Sequence, residues 1–404
     1  MEYEEILPEI IGKNENKILL LVLDGLGGIP HPETGKTELE TANIPNIDEF
    51  AKNGSCGLSI PVLPGITPGS GPGHISLFGY DPIKILIGRG VLECLGIGVN
   101  LGKEDIAIRG NFATIDEHNI VTDRRAGRIS TDENKKIVDL ISKNIKEING
   151  VKISISTVKE HRCAIVLREK NLSPDVSEND PQKENLPLKE ILPLKEKGKF
   201  TASILNEFEK KVKDILKNVD SKAKVILLRG ISKLPDVPTF QEKYKLKSAC
   251  IATYPMYKGI SKVVGMDIIE VGETVEEEFD KLEKVYDNYE FFFLHIKKTD
   301  SMGEDGNFNG KVKFLEDVDK KIWRLKKLNF SAMAITGDHS TPSVLKGHSW
   351  HPVPLVIVSP NMIRDDIERF SERECAKGIL GTIYAKQIMY LLLASSLKLG
   401  KFGA

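Results

Sequence analysis

Lys17-Ile-Leu-Leu-Leu-Val-Leu-Asp24-Gly-Leu-Gly-Gly28 is an aliphatic run that stops abruptly at a carboxylate and a glycine-rich turn. It predicts a buried strand that delivers Asp24 at its carboxyl tip. Two further runs follow the same plan. Phe291 to Ile296 leads into Lys297-Lys-Thr-Asp300, and Ala332 to Thr336 leads into Gly337-Asp338-His339. Polar residues crowding the ends of fully apolar strands belong to an open, mostly parallel α/β sheet, in which ligands bind outside the carboxyl ends of the strands. Helical patterns over Thr274 to Asn288 and Gly310 to Lys327 lie between these runs, so the outer segments of the chain are expected to share one sheet flanked by helices.

The middle of the chain reads differently. From about Asp105, short strand-like runs (Ile106 to Ile115, Val151 to Ile155, Cys163 to Leu167, Val225 to Leu228) alternate with charged helices, the pattern of an inserted α+β domain. The expected organisation is therefore a discontinuous catalytic domain, 1–104 with 251–404, interrupted by an inserted lid domain, 105–250. The Pro-, Glu-, Asp- and Lys-rich stretch from Ser173 to Lys199 reads as an exposed excursion, not as a boundary.

With 404 residues, 40% of them hydrophobic, the chain has material for a large core and two domains. No apolar run approaches the ~18 residues that span a bilayer. The acidic start Met1-Glu-Tyr-Glu-Glu5 is unlike a secretory signal, so a cytoplasmic protein is expected, with no membrane role. Five widely spaced cysteines form no C-x-x-C pair and suit buried, reduced thiols. Lys plus Arg (57) nearly balance Asp plus Glu (58), which leaves no global field to recruit nucleic acid. An anionic ligand must be held by a local cluster, and no particular oligomeric state is implied.

The chemistry concentrates at strand tips: Asp24, Asp300, Glu304, Asp338, His339, His348 and His351. A lone strand-end Asp is ordinarily a turn or capping residue, but seven such groups at three tips and their loops are a candidate metal centre. Carboxylates with imidazoles suit Mn²⁺, Zn²⁺ or Fe better than Ca²⁺, and the number suffices for two ions about 4 Å apart, the spacing that clamps a transferring phosphoryl group. Gly65-Ile-Thr-Pro-Gly-Ser70-Gly-Pro-Gly-His74 then puts a hydroxyl near the start of a helix-like pattern. Beside a divalent cation, Ser70 can act as a nucleophile without a histidine base. Two decoys fail. Gly35-Lys36-Thr37 suggests a P-loop, but Pro30 stands where that motif needs glycine, and Ser70-Gly-Pro72 lacks the arginine of the sulfatase pattern, having His74 in its place. A basic group, Arg124, Arg125 and Arg128, with Arg89, His161, Arg162 and Lys258 as more distant candidates, could grip a small dianion through guanidinium forks. The bland alternative is a solvated, salt-bridged face. Asp123 could act on a substrate proton.

At these residues the sequence resembles the archaeal-type 2,3-bisphosphoglycerate-independent phosphoglycerate mutases of the alkaline phosphatase superfamily, over nearly the whole chain. The marks are Leu23-Asp-Gly-Leu-Gly-Gly28, Thr67-Pro-Gly-Ser-Gly-Pro-Gly-His74 through Phe78-Gly-Tyr-Asp-Pro82, Arg109-Gly-Asn-Phe-Ala-Thr114, Asp123-Arg-Arg-Ala-Gly-Arg128, His295-x-Lys-x-x-Asp300, and Gly337-Asp-His339 followed by His348-x-x-x-Pro-Val-Pro354. The resemblance implies an alkaline-phosphatase-like sheet and interconversion of 3-phosphoglycerate and 2-phosphoglycerate, with two divalent metal ions and no bisphosphoglycerate. It implies that Asp24, Ser70, Asp338 and His339 bind one metal, with Ser70 taking the phosphoryl group. Asp300, Glu304 and His348 would bind the other. It assigns Asp123, Arg124, Arg125, Arg128, His161, Arg162 and Lys258 to substrate handling; His351 falls where other members have a non-ligand, which leaves it a candidate behind the ligands or on the substrate side. One position departs from the family's Asp-x-x-Gly-His, since Glu304 stands where histidine is usual. Oxygen in place of nitrogen makes that site harder, favouring Mn²⁺ or Mg²⁺ over Zn²⁺ or Co²⁺. The alternatives on the same scaffold are another phosphotransferase or phosphatase, or a catalytically silent metal-binding paralogue.

Overall fold

The strands fall in chain order as β1 (Ile18–Leu23), β2 (Ser55–Ile60), β3 (Ile106–Ile115), β4 (Ile120–Asp123), β5 (Glu147–Ile148), β6 (Val151–Lys159), β7 (Arg162–Arg168), β8 (Leu186–Pro187), β9 (Val225–Ser232), β10 (Ser248–Ala252), β11 (Asp267–Ile269), β12 (Phe291–Ile296), β13 (Ala332–Thr336), β14 (Val353–Val358) and β15 (Gly381–Tyr384). This is a computed structural model, and it describes residues 3–403. Two compact units emerge: one built from the chain up to Leu86 and from Val237 onward, the other from Ile87–Asp236.

The first unit contains an eight-stranded sheet in the order β11-β10-β12-β1-β13-β14-β2-β15. The pairings along β11-β10-β12-β1-β13 are all parallel, as is that of β15 with β2, whereas β14 runs antiparallel to both its neighbours. It is the mostly parallel α/β sheet that the three acid-tipped runs imply. Every residue of β1, β12 and β13 is buried, as expected for strands covered by helices on both faces. The register then decides the site. Val22 lies opposite both His295 of β12 and Thr336 of β13, and Leu23 opposite Ile296, so the chain leaves all three strands at one level. Asp24, Lys297 and Gly337 are consequently brought to one end of the three central strands, although Asp24 lies hundreds of residues from the other two in sequence.

The second unit is a seven-stranded antiparallel sheet, β5-β6-β7-β3-β4-β8 with β9 also paired to β3, covered by the helices Thr131–Asn144 and Lys199–Leu216. Its limits are 87 and 236, not 105 and 250. The helix Arg89–Gly96 packs on β3, β7 and β9, and so belongs to the inserted unit. At the other end β10 pairs with β12, and Tyr244 donates its hydroxyl proton to the Phe78 carbonyl, which ties residues 237–252 to the first unit. The excursion from Ser173 to Lys199 is less exposed than its composition suggests. It contributes β8, and it buries Asn179 and Asp180 against the sheet.

All five cysteines are buried with free thiols. Thr37 of the decoy Gly-Lys-Thr is the N-cap of a short helix, in a capping box with Glu40. Among the described residues no helix is long and apolar enough to cross a membrane.

Candidate active site

Asp24 follows β1 and is fully buried. Its Oδ2 lies 3.1 Å from Lys297 Nζ and 3.4 Å from His295 Nε2, and it accepts a hydrogen bond from the Tyr257 hydroxyl. Gly25 turns the chain away with a φ of +63°, and a Cβ there would meet Thr341 Oγ1 at 2.5 Å, so the turn can approach its neighbours only as glycine. Asp338, at the tip of β13, accepts the Gly25 N–H through Oδ1 at 3.1 Å. Its Oδ2 is 3.1 Å from His339 Nε2 and 3.2 Å from His74 Nδ1.

Ser70 opens the helix Ser70–Leu77, and its Oγ is 3.3 Å from His339 Nε2. The helix reaches this position because Gly73 has no side chain: a Cβ there would stand 2.4 Å from the Asp338 carbonyl oxygen. The unpaired N–H groups at its start give that end partial positive charge.

Asp300 lies within the helix Lys298–Glu304, where Thr341 Oγ1 donates to its Oδ1 at 2.7 Å and Lys297 pairs with its Oδ2. His348 Nδ1 is spent on the Pro68 carbonyl at 2.9 Å, which leaves Nε2 directed at Asp300 Oδ1, 3.6 Å away. The His348 ring stacks on His339 with centroids 3.6 Å apart. Glu304 stands at the margin, its side chain 53% exposed and Oε1 3.8 Å from His348 Nε2.

Two groups thus converge, Asp24 with Asp338 and His339, and Asp300 with His339 and His348, each offering ligand atoms within 4.8 Å of one another. Divalent cations fit this set on its own chemistry. Oxygen and imidazole donors are gathered, all of the two groups buried except His348, and among the described residues buried Asp24 Oδ1 has no hydrogen-bond partner. Burial pushes the Asp24 carboxyl up, but His295, Lys297 and His339 outweigh it and hold it well below the usual range. Asp338, raised by burial and by Asp24, is brought down on balance by His339 and His74. Both are anions ready to ligate. His351 stays outside both groups, with Nδ1 3.0 Å from Ser349 Oγ and its ring on Trp350.

The basic residues are less uniform. Arg124 forms a fork with buried Asp180, Nε to Oδ1 at 3.0 Å and Nη2 to Oδ2 at 2.7 Å, which leaves its Nη1 edge free of that pair. Arg229 reaches the same carboxylate at 3.1 Å. Asp123 accepts the N–H groups of Arg125 and Gly127 at 2.7 and 2.6 Å, fixing a turn in which Ala126, Gly127 and Arg128 all have positive φ. Arg125 and Arg128 are exposed. His161 is buried, and Arg162 lies 3.8 Å from Glu93. Lys258 belongs to the other unit, where it pairs with Glu270 at 2.9 Å.

The same geometry brings in residues to which the sequence reading gave no role. Tyr257, His74, His295, Lys297 and Thr341 surround the carboxylates, and Arg109 and Arg229 face each other across β3 and β9. His295 and Lys297 had a signal, since they precede Asp300 on the same strand tip.

A family model described as 2,3-bisphosphoglycerate-independent phosphoglycerate mutase matches residues 51–221. A probable 2,3-bisphosphoglycerate-independent phosphoglycerate mutase of Aquifex aeolicus is 54% identical over 408 residues, covering 99% of this chain and all of that one. The chain belongs to this family. As a cofactor-independent phosphoglycerate mutase family member it is an enzyme, an isomerase. A similarly described protein of Thermosipho africanus is 51% identical over the full length of both chains. Among solved structures, the cofactor-independent phosphoglycerate mutase from Thermoplasma acidophilum matches with a TM-score of 0.76 at 29% identity, over 94% of this chain and all of that one. The PH0037 protein of Pyrococcus horikoshii matches with a TM-score of 0.83 at 31% identity, over 96% and 99%.

Proposed function

We propose that the chain interconverts 3-phosphoglycerate and 2-phosphoglycerate through a phosphoserine at Ser70, beside two divalent cations and without bisphosphoglycerate. The observation that carries this reading is Ser70 Oγ at a helix start, 3.3 Å from His339 Nε2, which itself lies 3.4 Å from Asp24 Oδ1 and 3.1 Å from Asp338 Oδ2, in a chain of this family. Asp24, Ser70, Asp338 and His339 would hold one cation, and Asp300, Glu304 and His348 the other. Bound there, Mn²⁺ or Mg²⁺ would neutralise phosphate oxygens and make the serine hydroxyl easier to deprotonate.

In the first step Ser70 Oγ attacks phosphorus. The Oγ–P bond forms as the bond to the 3-oxygen breaks, and the proton lost by serine ends on the 3-hydroxyl of glycerate. In the second, the 2-hydroxyl of the same glycerate attacks the phosphoserine, the Oγ–P bond breaks, and the proton returns to Ser70. The N–H groups opening the helix Ser70–Leu77 face the charge that builds up on the phosphoryl oxygens. Between the steps glycerate has to turn without leaving. We assign its grip to Arg125, Arg128, His161, Arg162 and the Nη1 edge of Arg124, and proton transfer at its hydroxyl to Asp123. Lys258 and His351 are assigned to substrate binding. The inserted unit then serves as a substrate-binding lid, excluding the water that would turn a mutase into a phosphatase. We place the reaction in glycolysis and gluconeogenesis, in the cytoplasm.

An enolase-coupled assay without added bisphosphoglycerate tests the reading. Activity should require a divalent metal and fall by about 10⁴-fold or more in Ser70→Ala. Release of free phosphate without 2-phosphoglycerate would identify a phosphatase instead.

A further inference from the structure

Lys311 has no exposed surface. It sits in the helix Phe308–Ile322 on the same buried stripe as Leu315, Val318 and Ile322, where an apolar side chain is expected. Among the described residues its ammonium makes no hydrogen bond to a carboxylate, although buried Glu38 and partly buried Glu372 lie near enough to offset its charge in part. Instead Nζ donates to three backbone carbonyls, Gly25 at 2.9 Å, Gly27 at 3.2 Å and Thr341 at 2.9 Å, which exhausts its three protons. Taking an ammonium out of water without a bonded counter-ion is expensive, and a methionine of similar length would fill the space at lower cost. A fold selected for packing alone has no use for a lysine here.

The three acceptors explain the choice. Gly25 and Gly27 belong to the turn that aims Asp24, and Thr341 to the loop that carries Asp338 and His339. Thr341 in turn donates through Oγ1 to Asp300 Oδ1 at 2.7 Å and lies 3.0 Å from His339 Nδ1. One cation therefore clamps the backbone of the two loops, and through Thr341 it reaches Asp300 in the second ligand group. Its charge also offsets the carboxylates around it, Glu38 and Glu372 first and then Asp300 and Asp24.

We propose that Lys311 is a positioning residue for the metal centre: it touches neither substrate nor ligand atom, and sets the two ligand groups in register by holding the Gly25, Gly27 and Thr341 carbonyls together. The proposal rests on the metal-site reading above, and the test keeps the two apart. Mn²⁺ alone is titrated into metal-stripped protein, free Mn²⁺ being followed by electron paramagnetic resonance, for the unsubstituted chain, Lys311→Met and Lys311→Gln. Mn²⁺ affinity is expected to weaken by about tenfold or more in both variants. The melting temperature of the metal-free protein should move by less than about 4 °C, since lost hydrogen bonds and relieved charge burial offset one another. In the coupled assay kcat should fall by about tenfold, with KM for phosphoglycerate within about threefold of its original value. Unchanged Mn²⁺ affinity in both variants overturns the proposal. So does failure of both to fold, which would make Lys311 a residue of the fold alone. If the unsubstituted chain binds no Mn²⁺, the metal-site reading falls and this proposal with it.

Discussion

His74 and His161 are both buried, one among carboxylates in the first unit and the other among arginines in the second. Burial pushes His74 down, yet Asp338 and Asp24 overcome it and raise the imidazole above its ordinary value. At His161 burial and Arg162 act in the same direction, with Arg125 and Arg109 adding to them, and the value drops to about 4. The fold has thus separated its charges by sign. The acidic region is interlocked, almost every group being fully buried and held by two or three partners, as a site for compact cations requires. The basic region mixes guanidiniums already committed to Asp180 with exposed ones at a turn of unusual backbone, an arrangement that can still adapt to a ligand.

The largest effect is expected where the basic region is most tightly bound. The Asp180 side chain is completely buried and answers both Arg124 and Arg229. Asp180→Asn keeps its shape and removes the charge, leaving two partly buried guanidiniums without the carboxylate they share. A loss of about 3 kcal/mol in urea denaturation is expected, with the midpoint lowered and the slope unchanged. If stability holds and KM rises instead, Arg124 is a ligand-gripping residue whose pairing with Asp180 is incidental, and the contrast between committed and free arginines breaks.

A smaller effect sharpens the contrast in field. The folded-state value of His161 lies below its ordinary 6.5, so as pH falls the unfolded chain takes up this proton first and the folded protein loses stability between 6.5 and about 4. His161→Gln removes that loss. Between pH 7.5 and pH 5.0 the unsubstituted chain should lose about 1–2 kcal/mol more than the variant, because only the upper part of the window is crossed. Parallel stability curves for the two proteins would show that the arginines around His161 are screened by solvent.

The two regions also differ in how far they can be read from the chain. Asp24, Asp300, Asp338 and His339 were legible because each ends an apolar strand, and strand ends of a parallel sheet share a level whatever their separation in sequence. Ser70 was legible because glycines and a helix start surround it. The pairing of Asp180 with Arg124 and Arg229 was not, since it joins an excursion to one strand and to the residue that follows another through side chains alone, and the composition of the excursion pointed to solvent. The helix Arg89–Gly96 carries no punctuation that says which sheet it covers, hence the misplaced boundary. Lys311 was hidden for the opposite reason: lysine on a charged helix is ordinarily solvated, and only the carbonyls it meets from two distant loops reveal its burial.

Glu304 is where the acidic region is least interlocked, and it carries the smallest effect. At the end of its helix, half exposed and 3.8 Å from His348 Nε2, it can swing towards or away from the group formed by Asp300 and His348. If it ligates, that position offers a hard, charged oxygen where an imidazole would offer a softer neutral nitrogen. Glu304→His should then move the ratio of Mn²⁺ to Zn²⁺ affinity towards Zn²⁺ by about tenfold, read by competitive titration, with little change in the stability of the metal-free protein because the side chain is exposed. A ratio that does not move puts Glu304 outside the coordination shell, leaving that cation to Asp300, His348 and whatever His339 shares. The interlocking of the acidic region would then end at Asp300, and the margin of the site would be as adaptable as the basic turn of Arg125 and Arg128.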